Sequence, residues 1–348
     1  MKIGKIDTSK QVFIVAELSA NHKQNLQIAK DTIYSAKESG ADAVKLQTYK
    51  PEWMTIDSEK EDFIIKNGLW KGKKLFQLYK EAMLPLEWHE ELFKYGRELG
   101  LEVFSAPFSV EGVDFLEQFN PPAYKIASFE AIDYQLVEYT AQKGRPIIIS
   151  TGIIKREEFE ELLTLIKKWN NNIAVLKCSS AYPAPRSEIN LKSIPLLKKI
   201  FNVEVGFSDH TLGISAPISA VSLGARIIEK HFILNSSIDS FDKEFSLTPS
   251  QFKEMSKAIR EVEEMLGDEN SIFSNNPKGR EFARSIYVIK EIKKGEILTP
   301  EHIKIIRPSF GLEPKCFPLV LGKRVIRNLK RGDRLSINDL EKEKGELC

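Results

Sequence analysis

The chain has 348 residues, 42% of them hydrophobic, with 51 Lys and Arg against 49 Asp and Glu and a net charge of +2. That length buries a sizeable core and exceeds one ordinary domain, so one large domain plus a small one is expected, and the balanced charge gives no general commitment to nucleic acid. The amino terminus, MKIGKIDTSKQ, lacks the apolar region of a signal peptide, and no run approaches the roughly 18 apolar residues of a membrane span, so a cytoplasmic protein without a membrane partner is the expectation.

Taken in chain order, eight short β-rich runs recur at 12–17, 42–47, 102–107, 123–128, 146–151, 174–179, 203–208 and 226–232. Between them lie segments with apolar residues at threes and fours, such as LQIAKDTIYSAKESG and FEELLTLIKKW, several closing on a glycine (Gly40, Gly100, Gly224) that suits the left-handed residue after a helix. Eight strands alternating with helices are the pattern of a (β/α)₈ TIM barrel. An open doubly wound sheet shares that alternation. The position of the polar residues favours the barrel. Glu17, Lys45 with Gln47, Ser105, Lys125 with Ser128, Ser150, Ser180, Ser208 with His210, and Lys230 with His231 all fall at the carboxyl ends of their runs, which a barrel gathers into one mouth.

The barrel domain is expected over 1–266, followed by a polar Asn-, Gly- and Pro-rich linker at 267–282. A small domain over 283–348 reads as two similar strand-turn-short-helix units with KKGE and KRGD turns. It carries a net +6, leaving −4 for the rest of the chain. The three cysteines, Cys178, Cys316 and Cys348, are too few and too scattered for a disulfide framework or a thiolate metal site, and are expected to stay reduced.

Only five histidines are present, and His210 and His231 stand at the ends of neighbouring expected strands. Two imidazoles, with Asp209 and Glu229 beside them for support, suit a divalent ion whose other positions are left to water and substrate oxygens; Mn²⁺ is the first choice, with Mg²⁺ or Co²⁺ as alternatives. Lys45 and Lys125 end apolar runs, where an unpaired ammonium is unfavourable. Either each pairs with a carboxylate such as Glu17 or Glu130, or the two join Ser128, Ser150, Ser180 and Ser208 in an anion pocket. No GxxxxGK[ST] or GxGxxG loop competes with that pocket. Glu17 and Glu130 are either solvated rim acids or acid–base groups. The loop SIDSFDKEF offers Asp239 and Asp242, and Arg307 in IIRPSFGL offers a two-point contact for an anionic or hydroxyl-rich ligand.

The ordered stretches AELSANH (16–22), ADAVKLQTY (41–49), FSAPF (104–108), AYKIASFE (123–130), STG (150–152), CSSAYP (178–183), GFSDHT (206–211), IEKHF (228–232) and RPSFGL (307–312) resemble the sialic acid synthase family over nearly the whole chain. The resemblance implies a barrel that condenses phosphoenolpyruvate with an acetamido sugar, a C-terminal antifreeze-like (SAF-type) domain, and a homodimer in which that domain caps the partner's barrel. Within the family, SANH, SFE at 128–130, the segment 62–82 and RPSFGL look like the pseudaminic acid branch, whose sugar is 2,4-diacetamido-2,4,6-trideoxy-L-altrose. Sialic acid synthases proper more usually show Gly after the IAS motif and Asn at the position of Ser180. N-acetylneuraminate and legionaminic acid synthesis remain the alternatives, and a non-catalytic polyanion-binding protein is a distant one.

Carried over position by position, the resemblance implies His210 and His231 as metal ligands. Lys45, Lys125, Ser128, Ser150 and Ser208 fall on phosphoenolpyruvate contacts, and Gln47, Tyr182, Asp242 and Arg307 on sugar contacts. Glu17 and Glu130 become acid–base or sugar-binding carboxylates, and Phe129 and Tyr182 candidates to line the more apolar sugar's pocket. A Ser or Thr is usual where this chain has Ala106, so one phosphate hydroxyl is missing unless Ser105 or a backbone amide substitutes.

Overall fold

The computed structural model describes residues 1–268, 271–273 and 277–341. It divides into two compact units, Met1–Gly267 and Asp268–Cys348. The expected linker at 267–282 falls partly outside the described residues.

In the larger unit, eight parallel strands close into a barrel: β1 (Phe13–Glu17), β2 (Ala43–Thr48), β3 (Glu102–Pro107), β4 (Tyr124–Ile126), β5 (Ile147–Ser150), β6 (Ile173–Cys178), β7 (Glu204–Asp209) and β8 (Ile227–His231). Closure is made by β8 against β1, in a register that sets Ile227 beside Phe13 and His231 beside Glu17. Each run expected from sequence overlaps one of these strands, with bounds differing by a few residues at most. The open doubly wound sheet is thereby excluded, because no edge strand is left in the barrel.

Strand side chains alternate between the lumen and the helix layer. Phe13, Val15, Ala43, Phe104, Ile148, Ala174, Leu176 and Ile227 pack together in the lumen. A hairpin pairing Lys2–Ile3 with Ile6–Asp7 brings Ile3 into that cluster and closes the amino-terminal end of the barrel. The alternate residues, such as Ile14, Val44, Val103, Tyr124, Val205 and Ile228, pack with the apolar stripes of the surrounding helices. The helices start where the chemistry allows: Asn25, Ser109 and Asp133 each accept an N–H bond from the first turn, and Pro249 opens Pro249–Leu266 behind Thr248, whose N–H donates to Gln251.

Between β2 and β3 the chain carries an insertion built from the helix Pro51–Met54, a 3₁₀ turn at Glu61–Phe63 and the helix Leu75–Ala82. In the small unit, β9 (Ser285–Val288) pairs antiparallel with β10 (Ile303–Ile306) over an apolar core that includes Ile286, Ile303, Val320 and Leu335. The first expected strand-turn unit is regular. The second forms isolated bridges, such as Val325 with Leu340, and a 3₁₀ turn at Ile337–Asp339. Cys178 is buried and free. Cys316 is disulfide-bonded, against the expectation of reduced thiols, since one bond needs no framework of cysteines. Cys348 lies outside the described residues. Among the described residues no helix is long and apolar enough to cross a membrane.

Candidate active site

The lumen changes character at the carboxyl ends of the strands. Lys45, Gln47, Lys125, Ser150, Ser208, Glu229 and His231 line a cavity of about 460 Å³, with Glu17 directly behind Lys45 and Gln47, and Ser128, Glu130, Ser180, Tyr182, His210 and Asp242 join them from the segments that follow the strands. The barrel thus brings together every barrel residue expected at the site except Ser105.

A buried charge network forms the floor. Lys45 Nζ lies 2.7 Å from Glu17 Oε2 and 3.7 Å from Glu229 Oε2, and Lys125 Nζ lies 3.7 Å from Glu229 Oε1. Burial disfavours charge on all four groups, but each responds to its neighbours. For Lys45, Glu17 and Glu229 outweigh burial and raise its pKa; for Glu229, Lys125 and Lys45 outweigh burial and lower its pKa. Glu17 is pushed up to about 7 by burial, which Lys45 only partly offsets, and burial lowers Lys125. Glu130 is also pushed up to about 7 by burial, and its Oε2 has no hydrogen-bond partner.

Beside this network sits a concave group of hydroxyls. Lys125 Nζ donates to Ser150 Oγ at 2.8 Å, Ser208 Oγ donates to Glu229 Oε1 at 2.9 Å, and the hydroxyls of Ser128 and Ser180 lie 2.7 Å apart. Gly152, at φ +38, comes so close that an added Cβ would lie 2.1 Å from Ser128 Cβ and 2.4 Å from Ser180 Oγ. Only glycine keeps this wall open.

The rings of His210 and His231 lie 5.2 Å apart between centroids. Burial keeps both neutral, with His210 down at about 3 and His231 well below its ordinary range. His231 Nδ1 has no hydrogen-bond partner and lies 3.7 Å from Asp242 Oδ2; His210 Nδ1 lies 3.9 Å from Cys178 Sγ. Among the described residues no group of three or more His, Cys, Asp and Glu is gathered as a metal site. Two neutral imidazoles, one with an orphaned ring nitrogen, fit a borderline divalent ion that takes its remaining ligands from water and substrate.

The insertion after β2 supplies an apolar wall that the sequence did not announce: Met54, Ile65, Trp70, Leu75, Leu78 and Tyr79 face the cavity with Phe129 and Phe241. Trp70 lies 6.2 Å from Tyr182 between ring centroids, and Tyr182 lies 4.5 Å from His210. The cue available was the run of spaced aromatic and aliphatic residues in 62–82.

Three expectations are corrected by strand alternation. Ser105 points out of the lumen, where its hydroxyl lies 2.6 Å from that of Thr48, itself 2.8 Å from His89 Nε2. It therefore does not replace the hydroxyl absent at Ala106. Asp209 does not support the imidazoles from the cavity side, because it pairs at 2.7 Å with Lys230, and both side chains are fully buried outside the lumen. Glu229 is not a supporting acid for the histidines alone; it links both lysines. Arg307 belongs to the small unit, where a cis bond joins it to Pro308.

A closed parallel barrel whose mouth gathers buried lysines, hydroxyls and two neutral imidazoles has the arrangement of a TIM-barrel enzyme with its chemistry at the carboxyl ends of the strands. The chain belongs to the NeuB family, whose model matches residues 32–271, and a SAF domain matches 283–341. It is 49% identical to the pseudaminic acid synthase of Campylobacter jejuni over 97% of this chain and 99% of that one, and 48% identical to the pseudaminic acid synthase of Helicobacter pylori over 94% and 98%. Among solved structures it resembles the N-acetylneuraminic acid (sialic acid) synthetase of Leptospira borgpetersenii, with a TM-score of 0.71, 27% identity, and coverage of 81% of this chain and 93% of that one.

The buried histidines make stability pH-dependent. His22 and His89 are lowered by burial to about 4, alongside His210 and His231. Below the unfolded value near 6.5 the unfolded chain binds protons that these four cannot, so they withdraw stability as pH falls. Glu17 and Glu130 act in the opposite sense, because the native state takes up their protons near 7 and the unfolded chain only near 4.5, and burial raises Asp42 and Asp242 in the same direction. The imidazole share is isolated by His89→Gln, which should lower the slope of unfolding free energy with pH between 6.5 and 5 by up to roughly 1.4 kcal/mol per pH unit. An unchanged slope would show that the His89 imidazole is not held neutral.

Proposed function

We infer that this protein condenses phosphoenolpyruvate with 2,4-diacetamido-2,4,6-trideoxy-L-altrose to give pseudaminic acid and phosphate. The observation that carries the reading is the Lys45–Glu17–Glu229–Lys125 network beside His210 and His231 at one barrel mouth, in a chain nearly half identical to pseudaminic acid synthases along its whole length.

Lys45 and Lys125 hold the phosphate and carboxylate of phosphoenolpyruvate, with Ser128, Ser150, Ser180 and Ser208 donating hydrogen bonds to the same oxygens. The cations are already matched by Glu17 and Glu229, so the anion enters a site whose donors are oriented in advance. His210 and His231 would hold a divalent ion, Mn²⁺ first, which when bound supplies Lewis-acid polarisation of the open-chain sugar's aldehyde. Carbon 3 of phosphoenolpyruvate forms the new carbon–carbon bond to that aldehyde carbon as its own double bond opens. Water adds to the cationic carbon 2, and breaking the bond from carbon 2 to the phosphate oxygen releases phosphate and leaves the 2-keto acid. Water gives up two protons: the second leaves with the departing phosphate as the C2 carbonyl forms, and the first passes to the former aldehyde oxygen. Glu17, titrating near 7 and held by Gln47 Nε2 at 3.2 Å, is placed to carry it, with Glu130 as the second choice.

The sugar lies against Tyr182, Phe129 and the insertion wall, whose apolar faces suit a 6-deoxy carbon and an additional acetamido group, with Gln47 and Asp242 for its polar groups. The small domain's Arg307 reaches the sugar from the other subunit of a cytoplasmic homodimer; the family resemblance supports this arrangement.

Phosphate release from phosphoenolpyruvate is expected with the diacetamido-trideoxy-altrose and not with N-acetylmannosamine or the legionaminic acid precursor, and release with either of the others alone would overturn the substrate assignment. His210→Ala should abolish turnover with the fold intact, and activity retained in metal-stripped His210→Ala protein would refute the metal role. Gly152→Ala should raise KM for phosphoenolpyruvate by about tenfold, ~1.4 kcal/mol, because its methyl fills the hydroxyl cradle; an unchanged KM would place the phosphate elsewhere. Mixing inactive His210→Ala with inactive Arg307→Ala subunits should restore activity if Arg307 acts across the dimer, and no recovery would assign it to its own chain.

A further inference from the structure

The outer face of β7 and β8 carries an ion pair that the reaction does not use. Lys230 Nζ donates to Asp209 Oδ2 at 2.7 Å and also to the carbonyl of Thr211, while Asp209 Oδ1 accepts from Thr211 N–H at 2.8 Å. Neither side chain is accessible to solvent. These contacts straddle His210, which lies between Asp209 and Thr211, and they originate from the residue immediately before His231. The His210 carbonyl is fixed independently by Ala184 N–H at 2.9 Å, and that of His231 by Leu247 N–H at 2.8 Å. A fully buried ion pair is no better for stability than apolar residues of the same shape, so stability alone does not account for it.

We propose that Lys230 and Asp209 are positioning residues: from behind the sheet, one ammonium ties the Asp209 carboxylate and the Thr211 carbonyl, on either side of His210, to the strand that carries His231 and so sets the spacing of the two imidazoles for a divalent cation. This rests on the reading of the histidines as metal ligands. Residues that orient metal ligands in this way typically change metal affinity 10–100-fold when replaced.

The test uses the full-length, metal-stripped protein, with free Mn²⁺ followed by electron paramagnetic resonance in the absence of substrates. The paired variant Asp209→Asn with Lys230→Met removes both charges together. It should keep a cooperative melt and a KM for phosphoenolpyruvate within about twofold of the parent, while Mn²⁺ affinity falls at least tenfold and kcat falls with it at fixed subsaturating Mn²⁺. Parental Mn²⁺ affinity in the folded variant overturns the positioning role alone. Absence of Mn²⁺ binding by the parent overturns the metal reading and this inference with it. Should the paired variant not fold, Asp209→Asn alone, which keeps the side-chain volume and one acceptor for the ammonium, must itself weaken Mn²⁺ binding several-fold, and unchanged affinity there overturns the proposal.

Discussion

Two ammonium groups and two carboxylates share the floor of the barrel mouth, and the rest of the site depends on their mutual neutralisation. Lys45, Lys125, Glu17 and Glu229 are all nearly inaccessible. Any one of them alone at that depth would be driven to its neutral form. Together they remain a polar surface inside a barrel whose next layer down is Phe13, Val15, Phe104 and Ile148. Such a group is a poor source of stability, since replacing it by apolar side chains is often neutral or better. Under the proposed function its presence is explained by what it would offer an incoming anion: donors that need no reorganisation when negative charge arrives.

Barrel closure makes that network possible. Lys45 pairs in register with Glu17, and Glu229 stands two residues before His231, whose strand neighbour is Glu17. Lumen-facing positions on one strand are two residues apart, so the same alternation that raises Glu229 and His231 into the mouth turns Lys230 away from it. Among the described residues, two buried lysine–carboxylate systems lie one on each side of the same sheet. The inner one faces the cavity and the outer one faces the helix layer.

Much of this was legible in the sequence. Eight β-rich runs, alternating with helical periodicity, anticipated all eight strands, and the polar residues at their ends located the mouth. The reading was coarser than the structure where it treated every polar strand-end residue as equivalent. Ser105 and Lys230 were counted with the mouth although each sits one residue out of phase with a lumen-facing neighbour, and Glu229 was given only a supporting part. Counting by twos back from His231, or from Gln47 to Lys45, would have sorted them. The apolar wall from 51–82 was not recoverable in that way, because an insertion between strand and helix has no period that tells which side chains fold back over the cavity. Trp70 and Tyr79 reach it through the geometry of the insertion alone.

The division of the cavity also bears on why the hydroxyl at Ala106 can be dispensed with. The half proposed to bind the anion holds four serines and two ammonium groups, with Ser128 and Ser180 against Gly152, and the Ser128–Ser180 contact shows hydroxyls close enough to satisfy one another in the free protein. One donor fewer therefore leaves the Ser128–Ser180 pair intact in the free protein, whereas a residue that filled the space beside Gly152 would remove the cradle itself. Shape, set by Gly152 and by the register of β4 to β6, constrains this half of the site more tightly than the number of hydroxyls does. On the proposed sugar side the constraint is reversed: Tyr182, Trp70 and Phe129 offer broad apolar faces with few fixed donors, so discrimination between sugars there would rest on which substituents can be buried without leaving a polar group unmatched.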